Sequence, residues 1–114
     1  MRIGELSRRT GASIRSLRYY EERGLIAPDR SRSGQRNYAE SDVSRVVLIR
    51  QLLVAGLSTE TIDEVLPCMT DPESQTSRLT ARLIAERVRI DDEIAQRMAA
   101  RRALTTIIEA APPL

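Results

Sequence analysis

The feature that most constrains this chain is a stretch with nothing to break a helix: from about Glu73 to about Ala111, before Pro112-Pro113, there is neither Pro nor Gly. Asp71-Pro72 offers an N-cap followed by proline at the first helical position, so the segment predicts one helix far longer than the globular average. Leu79, Leu83, Ile90, Ile94, Met98, Leu104 and Ile108 form its principal apolar stripe, with Ile84, Val88, Ala95 and Ala99 as a partial second one. The spacing is not a strict heptad, because Arg87 and Arg101 fall where the seam would want apolar residues. A monomer would leave too much of this stripe in water, so the helix is predicted to dimerise. Asp91-Asp92-Glu93 precedes Arg97, Arg101 and Arg102. An antiparallel coiled coil would set each acidic block against the partner's basic one; i,i+4 pairs within one helix, such as Glu93 with Arg97, fit equally well.

Ahead of that helix the chain is punctuated at short intervals. Ile3, Leu6 and the stem of Arg9 or Thr10 lie at helical spacing, and Gly11 suits a left-handed cap. Ser13 is a good N-cap for a second helix reaching Glu22 or Arg23, which Gly24 stops. Two brief helices joined by Gly-Ala-Ser have the dimensions of a helix-turn-helix. In the second, Ile14, Leu17 and the aliphatic part of Glu21 share a face; Arg15, Ser16 and Tyr19 point away, flanked by Arg18 and Tyr20. Residues 27–38, with Pro28, Gly34, Arg30, Arg32 and Arg36, read as a two-stranded wing with very short strands and its tip near Ser33-Gly34.

From Glu40 to Ala55 a further helix is expected, with Glu40 and Asp42 in its first turn. Val43, Val46, Val47, Leu53 and Val54 form one stripe and Leu48, Ile49 and Leu52 another. Apolar on most sides, it is predicted to organise the core. Gly56 ends it; Ser58 caps a short helix carrying Ile62, Val65 and Leu66, which Pro67 should stop. The expected architecture is mainly α: a winged helix-turn-helix over residues 1–70, then a dimerisation helix over 71–114.

Charge and composition narrow the function. Residues 1–50 hold eleven arginines against six carboxylates, whereas residues 51–114 hold seven against ten. The basic half is the part suited to a polyanion, and all eighteen basic residues are Arg, whose planar fork fits phosphate and guanine. With no His and no Lys, the usual bases for a Ser or Cys nucleophile are missing. Cys/His zinc sites are excluded as well. Carboxylate-only chemistry stays open without positive support, so neither an enzyme nor a metal or other cofactor is expected. One cysteine fits a reducing compartment. No apolar run approaches a membrane span, and Met-Arg-Ile-Gly-Glu-Leu does not resemble a signal peptide, so a cytoplasmic location without membrane contact is expected.

Ile3-Gly4-Glu5-Leu6, Thr10-Gly11-Ala12-Ser13, Leu17-Arg18-Tyr19-Tyr20-Glu21 and Gly24-Leu25-Ile26 with Pro28 resemble the N-terminal domain of the MerR (mercury-resistance regulator) family. Gly34-Gln35-Arg36-Asn37-Tyr38, Asp42-Val43, Ile49-Arg50 and Gly56-Leu57-Ser58 continue the likeness in order over residues 1–70. The final helix is similar to the family's antiparallel dimerisation helix. The resemblance implies a homodimer on palindromic promoter DNA that bends and untwists the duplex so RNA polymerase engages both promoter elements, a use of indirect readout. It also implies that Arg15, Ser16, Arg18 and Tyr19 meet the major groove, with Arg18 and the tyrosines largely on phosphates and Arg15 and Ser16 reading bases. Arg36 and Tyr38 would anchor the wing to the DNA backbone. Tyr20 reads equally as a phosphate contact or as a core or hinge residue.

The sensing part is thin. Metal-sensing members carry cysteines at the start of the dimerisation helix and in a loop after it, whereas this sequence has only Cys68 and is expected to lack a metal-binding loop, an iron–sulfur cluster and a ligand domain. Cys68, between Pro67 and Met69, is either a small apolar filler or a thiol sensing oxidants or electrophiles. Two other functions compete with the regulator: an architectural or excisionase-like DNA-binding protein, and an interaction module whose basic surface meets an acidic protein. The long dimerisation helix favours the regulator over the excisionase-like protein.

Overall fold

In the computed structural model, which describes residues 1–30 and 34–114, the first turn is built around a single glycine. Helix α1 (Ile3–Thr10) ends where Gly11 takes a φ of 76° and its N–H bonds to the Ser7 carbonyl, a conformation that costs a residue with a Cβ but not glycine. Side chains then lock the turn: the Ser7 hydroxyl donates to Ala12 O at 2.6 Å, and the Thr10 hydroxyl donates to Leu6 O at 2.8 Å. Helix α2 (Ile14–Glu22) starts on the predicted cap, with Ser13 Oγ accepting from Ser16 N–H at 3.0 Å. The wing is an antiparallel pair of two-residue strands, β1 (Asp29–Arg30) and β2 (Arg36–Asn37), with Asp29 opposite Asn37 and Arg30 opposite Arg36. Ser31, Arg32 and Ser33, including part of the expected tip, lie outside the described residues.

Helix α3 (Glu40–Val54) is launched by Asp42, whose carboxylate accepts from Ala39 N–H at 2.8 Å. Its buried stripe is Val46, Ile49 and Leu52. The expectation that it would be covered on most sides needs correcting, because Val47 is 40% exposed, Leu53 37% and Val54 90%. The reason is geometric: its main helical neighbours are α1 and α4 (Thr59–Thr70), and they leave part of its circumference in water. Leu6, Leu17, Ile26, Ile49, Ile62 and Leu66 are among the protein's most buried side chains, alongside Tyr38. The core is accordingly aliphatic apart from its tyrosines.

Two boundaries also differ from the sequence reading. Helix α4 runs through Pro67 to Thr70 instead of stopping before it. Proline removes one N–H from the ladder, but close to the helix end that loss is small, and the Thr70 hydroxyl there donates to Leu66 O at 3.0 Å. Asp71 then caps a short 3₁₀ turn, Pro72–Ser74, accepting from Glu73 N–H at 3.1 Å and from the Ser74 hydroxyl at 2.9 Å. Because the cap serves this tighter turn, the long helix α5 starts at Ser77 rather than near Glu73 and ends at Ala110.

The chain divides into two compact units, Met1–Gln75 and Thr76–Leu114. The second is α5, 34 residues long, or about 51 Å at 1.5 Å per residue. It has no buried residue. Its Arg82, Glu86, Arg89 and Glu93 form an intrahelical ladder in which Glu93 pairs with Arg89 at 2.6 Å, not with Arg97. Among the described residues no helix is long and apolar enough to cross a membrane.

Candidate nucleic-acid interface

Helix α2 is held from beneath by Leu17 and Tyr20, both buried. Its period then fixes what faces outward: Arg15, Arg18 and Tyr19 are exposed and Ser16 is half-buried. Among the described residues Arg15 and Arg18 make no ion pair, so two guanidinium groups stand uncommitted on one helix face. The Ser16 hydroxyl accepts from the Ser13 hydroxyl at 2.9 Å and keeps its own hydrogen to donate. Ile14, expected on the inner face with Leu17, is instead 39% exposed at the first position of the helix.

Between α2 and the wing lies an open cleft of about 790 Å³. Arg2, Arg18 and Arg36 line it, together with Glu21, Glu22 and the glycine at 34. Three cations around a groove beside an outward helix face can hold a polyanion's backbone. Arg36 is not loose: its Nε donates to Glu21 Oε1 at 2.8 Å and to Oε2 at 3.0 Å. That hydrogen bond, and then the carboxylate's charge, raise the guanidinium's pKa further.

Tyr38 corrects an expectation. Its side chain is 1% exposed and sits in the core, so its hydroxyl presents nothing to a phosphate in this conformation. The hydroxyl is buried without a hydrogen-bond partner among the described residues. Burial raises its pKa above 10.0, and the nearby Glu21 charge adds to this without hydrogen-bond geometry being met. Tyr20, 6% exposed, is likewise a core residue, its ring centroid 6.5 Å from that of Tyr19. In a chain with no Phe or Trp, these amphipathic rings fill space that aliphatic side chains leave.

Several fixing contacts escaped the sequence. Arg9 clamps α1 to the first turn of α3 through both oxygens of Glu40, one at 2.7 Å. Arg23 reaches Asp63 on α4 at 3.1 Å, and Arg50 donates to the Thr10 carbonyl beneath the turn. Glu21, read from sequence only for its aliphatic part on the inner face of α2, was likewise not singled out as the partner of Arg36. Cys68, on the last turn of α4, is half-buried, its sulfur 4.0 Å from the Glu64 carbonyl oxygen.

A capped helix-turn-helix followed by a two-stranded wing, its outward helix lined with arginine, defines a winged-helix DNA-binding protein. Residues 1–67 match the MerR HTH family of regulatory proteins, and the chain belongs to that family. It is a DNA-binding transcription regulator. It is 32% identical to the HTH-type transcriptional regulator ZntR of Escherichia coli K12, over 96% of this chain and 79% of that protein. It is 27% identical to CueR of Salmonella typhimurium over 98% and 82%. The transcription regulator PbrR691 of Ralstonia metallidurans CH34, solved in complex with lead(II), superposes with a TM-score of 0.85 at 25% identity, covering 100% of this chain and 89% of that one.

Proposed function

We propose that this protein binds a palindromic promoter site as a homodimer, with the Met1–Gln75 unit on DNA and α5 paired antiparallel with a second copy. The observation that carries the reading is the pair of uncommitted guanidinium groups, Arg15 and Arg18, on the outer face of α2 beside the arginine-lined wing cleft. In this reading Arg15 and Ser16 meet base edges, while Arg18, Tyr19 and Arg36 take phosphates. Tyr20 and Tyr38 support the helix and the wing from the core. Binding bends and untwists the duplex, which lets RNA polymerase engage both promoter elements; the contacts supply the energy of deformation. The expected compartment is the cytoplasm, with no membrane contact, no cofactor and no catalysis.

One relative is named a heavy metal-dependent transcription regulator, of Rhizobium meliloti. This sequence contains one cysteine and no histidine, so its effector is sought elsewhere. Cys68 is the one thiol through which an oxidant acts directly; peroxide weakening operator binding by wild type but not by Cys68→Ala would establish it as a sensor. The test of the main reading is a footprint on DNA upstream of the coding region beside an unrelated fragment. Symmetric protection between promoter elements supports the regulator, and equal protection of both fragments refutes sequence-specific binding.

A further inference from the structure

Glu21 is an acid lining a cleft otherwise suited to a polyanion, which simple charge counting disfavours. Its geometry gives it a purpose. Both carboxylate oxygens sit on Arg36 Nε, at 2.8 and 3.0 Å. Among the described residues, the two terminal amino groups of Arg36 make no hydrogen bond. The Glu21 side chain is 21% exposed and that of Arg36 48%, so the acid is the anchored partner and the arginine the free one. Arg36 stands on a two-residue strand whose residues are both exposed, with little packing to hold a long side chain in one rotamer.

We propose that Glu21 is a positioning residue for DNA binding: by holding Arg36 through Nε, it fixes the wing guanidinium against α2 and leaves its two terminal amino groups to grip a backbone phosphate. The proposal rests on the reading above that the wing cleft takes DNA. It links two parts of the interface that sequence distance separates. The recognition helix and the wing arginine keep one spacing, so the phosphate contact and the base-reading face stay in register. An arginine ordered before binding loses less entropy on contact than a free one.

The test measures operator affinity against salt for wild type, Glu21→Ala, Glu21→Gln, Arg36→Ala and the Glu21→Ala/Arg36→Ala double variant. Charge alone predicts that deleting a carboxylate from the DNA face tightens binding. Positioning predicts that Glu21→Ala weakens it about tenfold for each half-site, the worth of one lost charge-assisted contact per protomer. The log–log salt slope should fall nearly as far as in Arg36→Ala, by about 1.8 per dimer at about 0.9 per phosphate. Glu21→Gln, which keeps an acceptor oxygen, should recover part of the affinity. In the Arg36→Ala background, Glu21→Ala should cost nothing more, whereas a folding defect would weaken that background too. Unchanged or tighter binding by Glu21→Ala, with Arg36→Ala weakened, would overturn the positioning role and leave the wing contact standing. Additional loss in the double variant would overturn it as well. Arg36→Ala binding like wild type would instead remove the wing contact itself.

Discussion

Ile94 and Met98 offer a quantitative test of the dimer. They lie on one face of α5, one turn apart, in a shallow groove with Ile90 whose rim carries Glu93, Arg97 and Arg101. In the single chain they are 52% and 55% exposed. Fully burying such a side chain is worth about 1.5–3 kcal/mol, so the uncovered half leaves roughly 1 kcal/mol each to be gained against a partner. Two side chains on each of two protomers make about 4 kcal/mol, close to a thousandfold in the dimer dissociation constant. The perturbation is Ile94→Ala with Met98→Ala. Alanine is the strongest helix former, so α5 should persist and circular dichroism of the variant should keep its helical signal. Sedimentation equilibrium then reads the dissociation constant directly, and Gln96→Ala, on the opposite face, serves as the control. A double variant that dimerises like wild type, or a control that loses as much, would refute the assignment of this face to the interface.

Three further outcomes are expected. Gly11→Ala should lower stability by at least about 1–2 kcal/mol in urea denaturation, because φ of 76° strains any L side chain, and Arg50 Nη1, 2.6 Å from the added carbon, must shift away from its bond to the Thr10 carbonyl. Ser13→Ala should cost about 1 kcal/mol by removing the cap on Ser16 N–H, and unchanged stability would show that the cap is dispensable. Tyr38→Phe should leave stability at neutral pH unchanged or raise it by up to about 1 kcal/mol, since it deletes a buried hydroxyl that has no partner among the described residues. Because the folded-state pKa of Tyr38 lies above its unfolded value of 10.0, the unfolded chain gives up this proton first as pH rises. Wild-type stability should therefore fall above pH 10 more steeply than that of Tyr38→Phe; equal slopes in alkaline denaturation would contradict the burial argument.

The sequence was most legible where one residue decides a local geometry. Gly11, Ser13 and Ser58 each mark an element boundary because a left-handed φ or a side-chain cap depends on that residue alone. The outward face of α2 was legible for the same kind of reason: once Leu17 is inside, the helical period sends Arg15, Arg18 and Tyr19 out. Boundaries resting on competing signals were not. Asp71-Pro72 caps a 3₁₀ turn as well as it would an α-helix, and Pro67 is tolerated because only the final turn of α4 lies beyond it. The burial of Tyr38 was hidden because a tyrosine beside a basic wing suits a phosphate and a core equally well.

The remaining discrepancies share one physical cause. An apolar pattern reports how much surface must leave water, not whether the covering surface belongs to the same chain. Val47 and Val54 on α3 read from sequence as buried surface, yet the single chain leaves them 40% and 90% exposed; the α5 stripe, expected to need a partner, has Ile94, Met98, Leu104 and Ile108 in water. A 34-residue helix without one buried residue has its hydrophobic stabilisation still to come from association. Glu21 shows the electrostatic counterpart. On local charge it opposes DNA binding, and its contact with Arg36, fifteen positions away, is invisible to local charge counting. In both cases the local rule is broken where the molecule meets something else, which is where a sequence under selection for binding is expected to depart from one selected for folding alone.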